Sequence, residues 1–236
     1  MTTIDVEGPL PDPWELVEGT DWASLEHAYG SAEGAAPVMG GLLAADLDTQ
    51  VRAMRYIEDP VHHQNTIYSA TVPAALYVAA SLSEPRTDTM LPREQGECPL
   101  RATMLDWLES VASAVGKDAE AIRERLGFSW DPASVQIRAL RPALFRAVSP
   151  FLHDLDPAVH EAAIAAAVSL LDAPELVQYR ATLVPLVREV LAVSAERSYR
   201  SIAVNGLQAW GEDTRYLQAV ENEDPWAAGC SREMPF

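Results

Sequence analysis

Along most of the chain apolar residues return every three or four positions, the spacing that gives a helix one buried stripe. Leu100, Met104, Trp107, Leu108, Val111 and Val115 share one face, as do Ile137, Leu140, Leu144, Val148 and Phe151. A third stripe runs through Val159, Ala163, Ala166 and Leu170, and a fourth through Leu176, Tyr179, Leu183, Leu186 and Val190. Tyr199, Ala203, Leu207 and Trp210 make a fifth. No stretch joins period-two alternation to β-branched residues, so the pattern predicts helices and no sheet.

The breaks between stripes are short and carry capping chemistry. Asp156-Pro157 sets a carboxylate at the N-cap before a proline at the first helical position. Asp172-Ala173-Pro174 ends one helix and begins the next, whereas Ser83 to Glu97, with Pro85, Pro92 and Gly96, reads as a surface loop. Residues 1–20, with Pro9, Pro11 and Pro13, read as an irregular acidic lead-in. Residues 21–220 form a single helical domain, and 221–236 are a tail with Trp226 and Phe236 as packing anchors.

The stripes repeat at a longer period. Pro37, Asp46 and Arg52 have the same mutual offsets as Pro185, Ser194 and Arg200, and Phe145, Asp154 and His160 make a copy between them. In this register Leu43, Phe151 and Leu191 coincide, as do Val51, Val159 and Tyr199, and then Met54, Ala162 and Ile202. Spacing of this order belongs to two-helix units that each bury one face alone and the other by stacking.

This pattern resembles the HEAT-repeat family over roughly residues 35 to 212. The resemblance implies an all-α fold, an α-solenoid of stacked HEAT-like antiparallel helical hairpins. It also implies a ladder of turn Asp and helix-opening Arg between repeats. Asp46 and Arg52 match that pattern, and His160 and Ser194 depart from it. A second likeness is to a group of actinobacterial HEAT-repeat proteins. It rests on the run from Asp21 through Trp22, His27 and Tyr29 to Gly30, and on His62-His63-Gln64-Asn65-Thr66-Ile67-Tyr68. That group carries Gly where Asn65 stands and Pro-Phe-Leu where Leu76-Tyr77-Val78 stand, so the likeness implies fold rather than activity.

Charge narrows the partners. Thirty-five acidic residues against 17 basic ones give a formal charge of −18, which disfavours a nucleic-acid backbone or an anionic membrane as the main partner. Cys98 and Cys230 stand far apart, without metal-ligand or disulfide-framework spacing, which suits a cytoplasmic protein. No signal peptide and no membrane span is expected.

The densest polar and aromatic knot is His62-His63-Gln64 with Tyr68. Adjacent imidazoles could bind a metal or act as acid and base. A structural role, capping the helix from Ser69 to Leu82 and fastening it to a Trp22 helix, is favoured. His160-Glu161 echoes the His-Glu pairs of HEAT-like di-iron hydroxylases. It occurs once, and Arg52-Ala53 and Arg200-Ser201 cannot ligate, so no metal and no cofactor is expected. His153, Asp154, Asp156 and His160 read as a capped turn. Arg138, Arg141, Arg146, Arg180, Arg188, Arg197 and Arg200 alternate with acids and read as ion pairs on solvated faces. Gly40-Gly41 marks a kink or close packing.

The working expectation is a non-enzymatic, protein-binding HEAT-like scaffold, an immunity or adaptor protein that captures a cationic partner on its concave face. Glu58, Glu161, Arg200 and Trp210 are its candidate contacts. The alternative is an enzyme or enzyme accessory with a small-molecule or metal pocket near His62 and His63.

Overall fold

A computed structural model of the chain describes residue 8, residues 10–93 and residues 96–214. The tail from 221 to 236, with Trp226, Cys230 and Phe236, lies outside the described residues. The fold is mostly helical. Its helices are α1 Pro13–Gly19, α2 Ala35–Met39, α3 Leu47–Glu58, α4 Thr71–Ser81 and α5 Leu100–Ser113. They continue as α6 Lys117–Leu126, α7 Pro132–Val148, α8 Pro157–Leu170, α9 Arg180–Val193 and α10 Arg197–Ala209.

Helix starts follow the capping residues. Asp12, Asp46, Asp131 and Asp156 accept first-turn N–H groups, and Pro13, Pro132 and Pro157 open their helices, where a missing N–H costs nothing. α1 corrects the irregular lead-in expected through Thr20. Asp12 caps it, Val17 is buried, and the helix packs on α4. Trp22, expected on a helix, lies in a single 3-10 turn, Trp22–Ser24, and donates its indole N–H to the Val17 carbonyl at 2.7 Å.

The expectation of no sheet is also corrected. Strand β1 Glu26–His27 pairs antiparallel with β2 Gly30–Ser31, and β3 Met90–Arg93 pairs antiparallel with β4 Gly96–Pro99. Strands of two and four residues are too short to write an alternating pattern, so the chain between helices gives no signal of them. The second hairpin occupies most of the expected surface loop, which also holds a 3-10 turn at Pro85–Thr87.

The core is centred on α4, α5 and α8. The most extensive helix contact is α5 with α8, whose alanines at 162, 163, 165, 166 and 167 are all buried. Small side chains let helix axes approach and extend contact along the whole length. α4 is buried nearly all round, and its Tyr77 donates from the phenol to the Met39 carbonyl at 2.9 Å. Consecutive helices α4 and α5, α7 and α8, and α9 and α10 pack in pairs. Across the pairs, α8 contacts both α5 and α10, and α4 contacts α7. Among the described residues no helix is long and apolar enough to cross a membrane.

Arg141 departs from the expected solvated ion pairs. It is 2% exposed and donates to the carbonyls of Ala112 and Val115 at 3.1 and 2.9 Å. A guanidinium thereby meets a carbonyl in the last turn of α5 and one just beyond it, where the helix end is partially negative.

Candidate functional site

The face made by α5, α8 and α10 is stitched by carboxylates that accept from hydroxyls on neighbouring elements. Tyr199, near the start of α10, donates to Asp106 on α5 at 2.8 Å. Ser169 on α8 donates to Glu109 on α5 at 2.8 Å, and Ser194, just before α10, donates to Glu161 on α8 at 2.7 Å. The hydroxyls orient Glu109 and Glu161, and among the described residues no Lys or Arg pairs with either. Burial raises the Glu109 carboxyl above its ordinary value, with the Ser169 bond acting against it. Burial, with Asp106 beside it, pushes the Tyr199 phenol up.

At one end of this face lies a groove of about 360 Å³, lined by Glu109, Ser113, Lys117, Asp118, Ser169, Asp172, Asn205, Gln208 and Trp210 among others. A volume of this size can admit a side chain or a small ligand. Asp172 fixes one wall. It accepts from the Lys117 backbone N–H at 2.9 Å and lies 3.8 Å from the Lys117 Nζ, so it caps α6 from a distance. Close approach of α8 and α10 fixes another, because a Cβ on Gly206 would stand 2.5 Å from Val168 Cγ1.

Of the expected contact residues, Trp210 lines this groove. Glu161 sits farther along the same face in its bond to Ser194, and Arg200 is half-buried on α10. Glu58 is half-buried at the end of α3 and is not part of the groove. Glu109, Ser169 and Asp172 went unremarked in the sequence. The signal available was Ser169 closing an alanine run, since alanines leave room for a neighbour's polar side chain to lie half-buried.

The His62-His63 knot divides in two. His62 is 4% exposed, with Nδ1 3.1 Å from the Thr66 carbonyl and Nε2 3.0 Å from the Ser110 hydroxyl. Its ring meets Trp107 edge-on at 6.0 Å. Burial pushes its imidazole below the ordinary range, against the effect of those two bonds. It fastens the loop to α5 and not to Trp22, and α4 has no histidine cap. Gln64 and Asn65 turn the loop with φ of 48° and 57°, an uncommon conformation for residues other than glycine.

His63 points outward, with Nδ1 2.7 Å from Asp59, and the Tyr29 phenol donates to both Asp59 oxygens at 3.1 and 3.0 Å. His27 packs edge-on against Tyr29 and Tyr56 beside them. The bond from His63 holds the Asp59 carboxyl below its ordinary range, and the bond from Tyr29 adds to it. Gln64 is exposed and Tyr68 is half-buried. The Tyr68 backbone N–H donates to Thr71 Oγ1 at 2.9 Å. Among the described residues no three His, Cys, Asp or Glu side chains converge to hold a metal ion.

The expected Asp–Arg ladder meets different partners. Thr49 N–H donates to Asp46, and Arg52 donates to the Thr49 hydroxyl, so both act within α3. No family model matches this chain, and no curated protein or solved structure matches it.

Proposed function

We propose that this chain is a non-enzymatic, protein-binding scaffold, a short solenoid of stacked HEAT-like hairpins. In this reading it serves as an immunity or adaptor protein and holds a cationic protein on the face of α5, α8 and α10. The stacking is supported by paired helices in chain order, by the side-by-side packing of the second helices, and by α8 and α10 starting at 157 and 197. The observation that carries the binding role is the charge held on that face. Glu109 and Glu161 are bridged between helices by neutral hydroxyls, in a protein of net charge −18. Such fixed negative charge speeds capture of a positively charged surface and selects against anionic ones.

The test is affinity capture from lysate of the source organism by the wild-type chain and by Glu109→Lys and Glu161→Lys. Circular dichroism first establishes that the variants are folded. The reading expects one stoichiometric basic protein, lost from both variants. Retention of that partner by both variants would remove the face from the interaction, and capture of no protein would remove the scaffold reading itself.

A further inference from the structure

Helix α6 buries none of its residues. Polar contacts tie it to α7: Arg138 meets Glu120 at 2.8 Å, and Arg123 reaches Asp131 at 3.7 Å. The Arg138 and Arg123 guanidinium groups lie over the Trp130 ring at 5.0 and 4.5 Å. These contacts use the side of α6 that carries Glu120 and Arg123. The opposite side faces solvent with Ile122 50% and Leu126 58% exposed, and Phe128 follows at 65%.

At about 100° per residue, Asp118 and Arg125 lie opposite Glu120 and Arg123, Ile122 lies beside them, and Leu126 and the half-buried Ala119 lie on the other flank of Ile122. Asp118 and Arg125 are both exposed. They stand seven residues apart in the sequence, so they occupy the same position of successive heptads.

We propose that α6 is a self-association surface that takes a second copy of this chain, in an antiparallel helix pair about a two-fold axis near Ile122. The charges argue for a second copy. When two identical helices pair antiparallel, the same flank of each meets the other with its direction reversed. Asp118 of one protomer then faces Arg125 of the other, and symmetry repeats the pair. In that register Ile122 meets Ile122, and Leu126 meets Ala119. A parallel two-fold pair would bring opposite flanks together and set Asp118 and Arg125 against Ala119 and Leu126, leaving both charges without a partner across the seam, so charge selects the antiparallel direction. A ten-residue helix spans about 15 Å and covers less than the roughly 800 Å² per partner of a stable interface, so association is weak and concentration-dependent.

Sedimentation equilibrium of the full chain, from micromolar to millimolar concentration at low salt, tests this. The wild type should pass from monomer to dimer and stop there. Ile122→Glu should stay monomeric throughout. Arg125→Asp, which sets like charges together twice, should weaken the dimer about tenfold. The double swap Asp118→Arg with Arg125→Asp should recover most of that loss. Circular dichroism checks that each variant is folded. A monomeric wild type, assembly beyond a dimer, a dimer indifferent to Ile122→Glu, or no recovery in the double swap would each overturn the proposal. Ile122 and Arg125 do not line the groove, so the Ile122→Glu and Arg125→Asp outcomes are independent of the capture experiment; Asp118, which does line it, enters only in the double swap.

Discussion

His62 shows how much one buried side chain can carry. Nδ1 faces a carbonyl and must donate, so a neutral ring leaves Nε2 to accept from the Ser110 hydroxyl. Ser110 Oγ also donates to Asn65 Oδ1 at 2.9 Å, so its one proton is shared between the imidazole and the amide. Protonating His62 would make Nε2 a donor toward Ser110 and place a charge in the core. Because the folded imidazole is depressed, its contribution to stability is complete above the ordinary value. It is lost as pH falls below about 6.5 toward the folded value. Chemical unfolding at pH 7 and pH 5 should therefore show a loss of stability in the wild type and a smaller one in His62→Ala. At pH 7 that substitution should cost about 2–4 kcal/mol, from the cavity and the orphaned partners. Equal pH slopes in the two proteins would contradict this account. Adjacent histidines were legible as a knot. Which one enters the core was not, because that depends on where α5 passes.

At the scale of helices, the contact between α8 and α10 rests on the absence of a side chain. Gly206 lies within α10, where alanine would be favoured by about 1 kcal/mol on propensity alone. A Cβ there would stand 2.5 Å from the stiff, β-branched Val168, so overpacking by about 1–3 kcal/mol should win. Thermal or urea unfolding should show Gly206→Ala destabilised, and Gly206→Ala with Val168→Ala partly restored. Stabilisation by the single change would mean that the helices do not meet this closely. Periodicity predicted the buried face of α5 correctly at Leu100, Met104, Trp107, Leu108 and Val111, and Val115 just past its end is buried too. It slipped on α9, where Val187 is buried and Leu186 only partly so. Within α9 the step from the buried Leu183 to Val187 is four residues, which a 3.6-residue turn takes as readily as three; the 3-10 segment Pro174–Tyr179 comes before it and leaves Tyr179 41% exposed. α6 left no apolar signal because its contacts with its own chain are ionic and cation–π.

For the whole molecule, the proposed capture of a basic partner would be steered over long range by an excess of 18 negative charges. Association measured by stopped flow or biosensor should slow as ionic strength rises from low salt to physiological, where the screening length is about 8 Å, with dissociation changing less. A salt-independent association rate would count against electrostatic capture. What the sequence by itself determined is the helical character, the Asp and Pro capping at 156 and 157, the buried stripes and the net charge. Each of these follows from neighbours within a turn or from a simple sum. Only the tertiary structure decided that Arg141 caps α5, that Asp172 caps α6, that His62 is sealed while His63 is not, and that Glu109 overlooks a groove. The partners in those contacts lie 26 to 60 residues apart along the chain, except for His63, whose partners are Asp59 and Tyr29. Contacts of that range are set by which helices pack together, and local spacing carries no record of it.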